Sequence, residues 1–457
     1  MIRWMVLILL LLSVAWPAIA QPSADRFWGQ WRGPQASGVA PFGDPPSEWS
    51  ETTNVAWKVE VPGRGSASPI VWDDKVFLLT AVPVGGPDSG AVTDSGVRSS
   101  QSAPRAAGRG RRGRRGRGQQ PILRQRFTVM AFDRTTGEVV WEQVARDEVP
   151  HEGYQQANGS YAAGSAVTDG EYLFAFFGSW GLYAYDLDGR LQWEVDLGTR
   201  IMRNGFGEGT TPTLHGDTLV VTWDHIGGQS FIVALDKRTG DERWRVNRDE
   251  IDTWATPLVV QHAGRAQVVA PAMDHVSSYD LETGEVVWQS RGTTMNAIPS
   301  PVHADGIVYV MSGYRGNNLQ AIRLADAHGD LAGTDALVWQ LDRDTPYVPS
   351  PLLYDDALYV IKSNDGILSV FDRLTGRPYY QLQRLEGVPN IFASPVGAAG
   401  RVYITGREGT TLVIRQGPSY EVMASNTLDD GFDASPAVVD NELYLRGYRH
   451  LYKIAVE

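Results

Sequence analysis

Asp133-Arg-Thr-Thr-Gly137-Glu-Val-Val-Trp141 is the phrase on which the fold turns, because it recurs. It returns as Asp236-Lys-Arg-Thr-Gly240-Asp-Glu-Arg-Trp244 and as Asp280-Leu-Glu-Thr-Gly284-Glu-Val-Val-Trp288. Weaker copies run from Asp186-Leu-Asp-Gly189 to Trp193, one residue short, and from Asp372-Arg-Leu-Thr-Gly376 to Tyr380 in place of Trp. Trp339 and Arg415-Gln-Gly417 mark the two most degraded units. The chemistry is that of a tight turn: Asp and Thr side chains bond local backbone, Gly takes a position with φ > 0, and the following strand carries a large aromatic.

A second phrase, Ser or Thr before Pro and an apolar residue, opens each unit at Pro69, Pro212, Pro257, Pro301, Pro351, Pro395 and Pro436. Gly164-Ser165-Ala166-Val167 stands in the same place in one more. Successive starts lie 41 to 50 residues apart except for one gap of 97. Between the phrases lie short runs such as Lys75-Val-Phe-Leu-Leu79, Ile307-Val-Tyr-Val-Met311 and Ala357-Leu-Tyr-Val-Ile361, rich in β-branched and aromatic residues. Bounded by Gly, Asn and Asp, they predict strands, and no segment sustains a helical period. Four antiparallel strands per unit, repeated radially, predict an all-β, eight-bladed β-propeller over residues 53–457. The last unit, Ser435 to Val456, holds only three strands, whereas Asn54-Val-Ala-Trp57-Lys-Val-Glu-Val61 reads as an orphan fourth strand with its Trp. Pairing the two closes the ring without a long free edge.

Composition agrees with one soluble globular unit: 42% hydrophobic and 21% charged residues, with 15 Trp. The only long apolar run, Trp4 to Leu12, is followed by Ala18-Ile19-Ala20, the pattern of a cleavable signal peptide over residues 1–20. Export to the periplasm or medium, with no membrane span in the mature chain, is the expectation. The absence of Cys excludes disulfide scaffolds, thiolate metal sites, covalent c-type haem and lipid anchoring through an N-terminal Cys. The formal net charge of −12 argues against nucleic acid as a partner. Ten cations nevertheless fall between Arg98 and Arg126 without a single acid. Residues 83–122 therefore predict a disordered basic insertion between the second and third strands of blade 1, either simply solvated or attaching to an anionic surface. Residues 21–52 form an N-terminal lead-in.

The turn phrase, the Ser/Thr-Pro openings and the eight units together resemble the pyrroloquinoline-quinone (PQQ)-like repeat propellers over nearly the whole mature chain. The lead-in Phe27-Trp28-Gly-Gln-Trp31-Arg-Gly-Pro34 is similar to the opening of exported propellers of that group. The resemblance implies the fold, but the group holds both quinoprotein alcohol dehydrogenases and a non-catalytic propeller of outer-membrane protein assembly. A Cys-free chain lacks the vicinal disulfide, haem and lipid anchor that these relatives carry, which points to a non-catalytic binding or scaffolding module without cofactor. The alternative is a PQQ-dependent dehydrogenase with Ca²⁺ and an atypical Cys-free site.

Strand order places the fourth-to-first and second-to-third loops on one face, around a funnel. The candidate ligand-binding residues on those loops are Arg203, Asn204, Glu208, Trp254, Asn296, Arg315, Lys362, Asn364, Asp433 and Arg449. Under the alternative, the resemblance implies Glu, Asn and Asp as Ca²⁺ ligands and a Trp stacked on the quinone, roles open to Glu208, Asn296, Asp433 and Trp254. As a binding module the funnel would take an envelope protein, a small molecule or a glycan, and the protein reads as a monomer. Gly108-Arg-Gly110-Arg-Arg-Gly113 follows no predicted strand and opens no helix, so it is not a nucleotide loop. No catalytic residue, H-E-x-x-H pair or nucleophile elbow is found.

Overall fold

The computed structural model describes residues 24–85, 122–157 and 159–456. Eight antiparallel sheets follow one another along the chain, and the last is completed by the first strand. Val55–Glu60 pairs with His450–Ile454, with Trp57 opposite Lys453 and Lys58 opposite Tyr452. Seven sheets have four strands, and the fourth gains a short parallel fifth, Gly329–Asp330, beside Val286–Arg291.

The first three strands of each blade are covered on both faces, so their sequences are near-continuous apolar runs; Thr218–Trp223 is buried throughout. The outermost strand is covered on one face only and alternates, as Glu242–Arg248 does.

Two girdles join the blades, and each is made by one of the recurring phrases. In the turn phrase the Asp133 carboxylate accepts the amides of Thr135 and Thr136 at 2.8 and 2.7 Å, and Gly137 sits at φ +76°. A Cβ on Gly137 would lie 2.8 Å from the Trp57 ring of the preceding blade, so the turn needs Gly for space as well as for backbone. The indole N–H of each docked Trp donates to the carbonyl just after the turn Asp of the next blade: Trp57 to Arg134, Trp141 to Leu187, Trp193 to Lys237, Trp244 to Leu281 and Trp339 to Arg373, at 2.8 to 3.2 Å. Trp288 departs from the pattern. It donates to Gln267 instead, in the blade that carries the added strand.

The inner girdle is a closed circle. The amide of each Ser or Thr in the opening phrase donates to the hydroxyl oxygen of its counterpart one blade on: Ser68 to Ser165, Ser165 to Thr211, Thr211 to Thr256, Thr256 to Ser300, Ser300 to Ser350, Ser350 to Ser394, Ser394 to Ser435, and Ser435 back to Ser68. Pro cannot donate an amide hydrogen, so the preceding residue carries the link.

The lead-in runs along the innermost strands, about three residues beyond this circle. Trp28 exchanges backbone bonds with Val71 of blade 1, Gly29 accepts from Thr168 of blade 2, and Ser37 accepts from Leu353 of blade 6. Gly38 and Ala40 then bracket Gly397 of blade 7 before the chain leaves past Asp440 of blade 8. Between these anchors Arg32, 2% exposed, donates to the carbonyls of Pro351 and Pro395 at 2.6 and 2.7 Å. Burial lowers its pKa, and these backbone oxygens take the place of a carboxylate partner.

In blade 1 the strands reach further into the basic stretch than the sequence boundary at residue 83: Pro83 pairs with Gln125 and Val84 with Arg124. Residues 86–121 and the expected signal peptide lie outside the described residues.

Candidate functional site

A chamber of about 230 Å³ opens on the axis. The lead-in contributes Trp31 to its lining, and Trp31 also lines a second axial cavity of about 210 Å³. That second cavity is bounded by Gln30 to Ala36 and by the first strands of blades 3 and 4. Trp31 is thus shared by the two chambers, as are Thr211 and Thr256.

Six members of the inner girdle line the first chamber: Ser68, Ser165, Thr211, Thr256, Ser394 and Ser435. Aromatic residues from separate loops, Phe206, Trp254, Tyr347 and Phe392, supply more of the wall. Trp254 is fixed by its indole N–H donating to the Gly207 carbonyl at 2.8 Å.

Of the ten residues singled out from the sequence, Glu208, Trp254, Asn296 and Asp433 line this chamber. Asn296 is 2% exposed at φ +56°, and its Oδ1 has no hydrogen-bond partner among the described residues. The other six lie outside the lining and are engaged elsewhere. Arg203 pairs with Asp252 at 3.3 Å, and Asn204 holds a left-handed turn beside it. Arg315 stacks on Tyr314, and Lys362 pairs with Asp344 at 2.8 Å. Asn364 accepts the Val348 amide, and Arg449 pairs with Asp429. Loop membership alone did not distinguish rim from wall.

Both wall carboxylates are held by buried or half-buried arginines, neither of them among the ten candidates. Arg200 Nε lies 2.6 Å from Glu208 Oε2, and Ser179 gives the same carboxylate its amide and its hydroxyl at 3.0 and 2.6 Å. A Cβ on Gly178 would fall 2.0 Å from that oxygen, so Gly178 is required for the cradle. Arg407 Nε lies 2.9 Å from Asp433 Oδ1, and the Tyr448 hydroxyl donates to Oδ2 at 3.1 Å. Burial pushes the Asp433 carboxyl above the usual range even so, with Arg407 and Tyr448 opposing. No local motif advertises Arg200; strand order puts Arg407 on a loop of the funnel face but does not reveal its pairing with Asp433.

His151, Glu152 and Glu208 approach one another closely enough to suggest a cation site. The Arg200 guanidinium already fills the cationic position against Glu208, Glu152 accepts the Met202 amide, and His151 Nε2 lies 2.7 Å from the Arg200 carbonyl. A Ca²⁺-held quinone fits no better. Its carboxylates would face Glu208 and Asp433 in a lining that contains no Lys, Arg or His among the described residues, and a metal would have to displace a guanidinium from either acid.

The family described as outer membrane protein assembly factor BamB matches residues 125–250 and 228–455, more than half of the chain. The outer membrane protein assembly factor BamB of Francisella salina is 25% identical over 175 residues, 37% of this chain. That match spans only 30% of the relative's length. Among solved structures, BamB from Moraxella catarrhalis superposes with a TM-score of 0.53 at 18% identity, covering 71% of this chain and 88% of that one. The quinohemoprotein alcohol dehydrogenase from Comamonas testosteroni gives 0.60 at 10% identity, covering 94% and 81%. At these identities the structural likeness shows a shared fold.

Proposed function

The chain belongs to the propeller family described as outer membrane protein assembly factor BamB, and from that premise we propose that it is an exported, non-catalytic binding or scaffolding module of the periplasm or cell envelope, holding its partner at the axial chamber and its rim. The observation that carries this reading is the compensation of both wall acids. Glu208 and Asp433 each carry an arginine countercharge and a hydroxyl donor, and although the buried Asp433 Oδ1 accepts no hydrogen bond among the described residues, a cation at either acid would have to displace a guanidinium. The chamber instead offers fixed aromatic surface and hydroxyl groups, the composition of a recognition pocket. Export is supported by the apolar run Trp4 to Leu12 and its small-residue site. No helix among the described residues is long and apolar enough to cross a membrane.

The test compares envelope extracts passed over wild-type protein and over Ala163→Phe, which fills the chamber from its lining. A defined component retained by the first and lost from the second supports the reading. Identical retention by both, or alcohol oxidation by the purified protein, overturns it.

A further inference from the structure

The chemistry of the axial chamber narrows what it can hold. Its only ionisable carboxylates, Glu208 and Asp433, are already matched by Arg200 and Arg407, and no basic side chain lines it among the described residues. An anion would meet two buried carboxylates whose guanidinium partners lie outside the lining and are already engaged. A cationic ligand would have to compete with guanidinium groups at 2.6 and 2.9 Å. Charge thus selects a neutral ligand.

The hydrogen-bonding pattern adds direction. Each girdle hydroxyl accepts one amide hydrogen from the neighbouring blade and retains a rotatable O–H, and Ser66 and Ser160 add two more hydroxyls to the wall. Such groups donate and accept in turn, which suits a ligand whose own groups do the same. Between them stand Trp31, Phe206, Trp254, Tyr347 and Phe392, whose electron-rich faces suit C–H bonds. A volume of about 230 Å³ corresponds to about eight waters at ~30 Å³ each, room for one sugar ring with a second reaching into the open mouth, and not for a polymer segment of any length.

Resting on the reading of the chamber as a binding site, we infer that it binds a neutral mono- or disaccharide, with pyranose C–H faces against the aromatic wall and sugar hydroxyls against the Ser/Thr girdle. Calorimetry and saturation-transfer NMR on the whole protein would use glucose, maltose, cellobiose and N-acetylglucosamine, each set against glucuronate and glucosamine. The expected result is one-to-one binding of at least one neutral sugar, at least about tenfold tighter than the charged ones, and lost in Ala163→Phe. Phe206→Ala, which removes one aromatic face without filling the space, is expected to weaken binding by about tenfold and serves if the filled variant does not fold. No neutral sugar bound by folded wild-type protein, or tighter binding of glucuronate or glucosamine, overturns the inference. A short peptide that binds wild type but not Ala163→Phe, with no sugar bound, overturns the sugar assignment and leaves the binding module standing. One-to-one uptake of PQQ with Ca²⁺ and subsequent turnover removes both.

Discussion

The Ser435 amide donates to the Ser68 hydroxyl oxygen at 3.0 Å, joining residues 367 positions apart and completing the inner circle of eight links. At the outer edge of the same blade, the two ends of the chain are held by the Val55–Glu60 strand and by Trp57 donating to Arg134 of blade 1. Ring closure is thus made three times over at one seam, by hydroxyl, strand and indole.

Ser68→Ala leaves the buried Ser435 amide without its acceptor, and an unsatisfied buried donor costs about 1–3 kcal/mol. Urea unfolding is expected to show a lower midpoint with an unchanged slope, because the surface exposed on unfolding is the same. An unchanged midpoint contradicts the role given to the girdle.

Gly240→Ala places a Cβ 2.9 Å from the Trp193 ring at φ +76°. Backbone strain and overpacking together are expected to cost about 2–4 kcal/mol. Trp193→Phe, which keeps an aromatic ring but loses the pyrrole half of the indole and its 2.9 Å bond to Lys237, is expected to cost about 1–2 kcal/mol. Thermal melts of the two variants check the order, and a Gly240→Ala protein as stable as Trp193→Phe contradicts it.

The seam is expected to be acid-sensitive. Burial pushes the Glu442 carboxyl up, but hydrogen bonds from Lys453, Tyr444 and Arg134 outweigh it and hold the group below its usual range. A depressed folded pKa stabilises above the unfolded value of about 4.3 and loses that contribution as pH falls through the folded value. Glu442→Gln is therefore expected to be less stable than wild type at pH 7, with the difference shrinking below about pH 4. A difference that stays constant from pH 7 to pH 3 contradicts this account.

If Arg200 occupies the cation position beside Glu208, its removal exposes that position. Arg200→Met is expected to be destabilised by about 3–5 kcal/mol through the unpaired buried carboxylate. Millimolar Ca²⁺ or Mn²⁺ should raise its melting temperature while leaving wild type unmoved, since His151 and Glu152 stand close by. Equal response of the two proteins contradicts the assignment.

Much of this architecture is written in local sequence. The Asp, Thr and Gly of the turn act within a few residues of one another, so Asp133 to Gly137 announces its own hydrogen bonds, and Trp141 follows at a fixed distance. The seam was also legible, because a three-strand unit at one end and an orphan strand at the other have one economical pairing. The chamber was legible only in part. Glu208, Trp254, Asn296 and Asp433 are in its wall, yet Arg315, Lys362 and Arg449, of the same kind and on equivalent loops, are not. Side-chain direction at a loop depends on contacts from neighbouring blades, which no local pattern encodes. The passage of Trp31 and Arg32 along the axis was invisible for the same reason: the carbonyls that bind Arg32 lie 319 and 363 residues away.

The central claim is that the axial chamber recognises a ligand and does not hold a redox quinone. Its most direct test is anaerobic titration of PQQ with Ca²⁺ into the purified protein, followed by an alcohol- or sugar-dependent dye-reduction assay. The account predicts no stoichiometric uptake and no turnover; one quinone bound per chain, with substrate-dependent reduction of the dye, would contradict it.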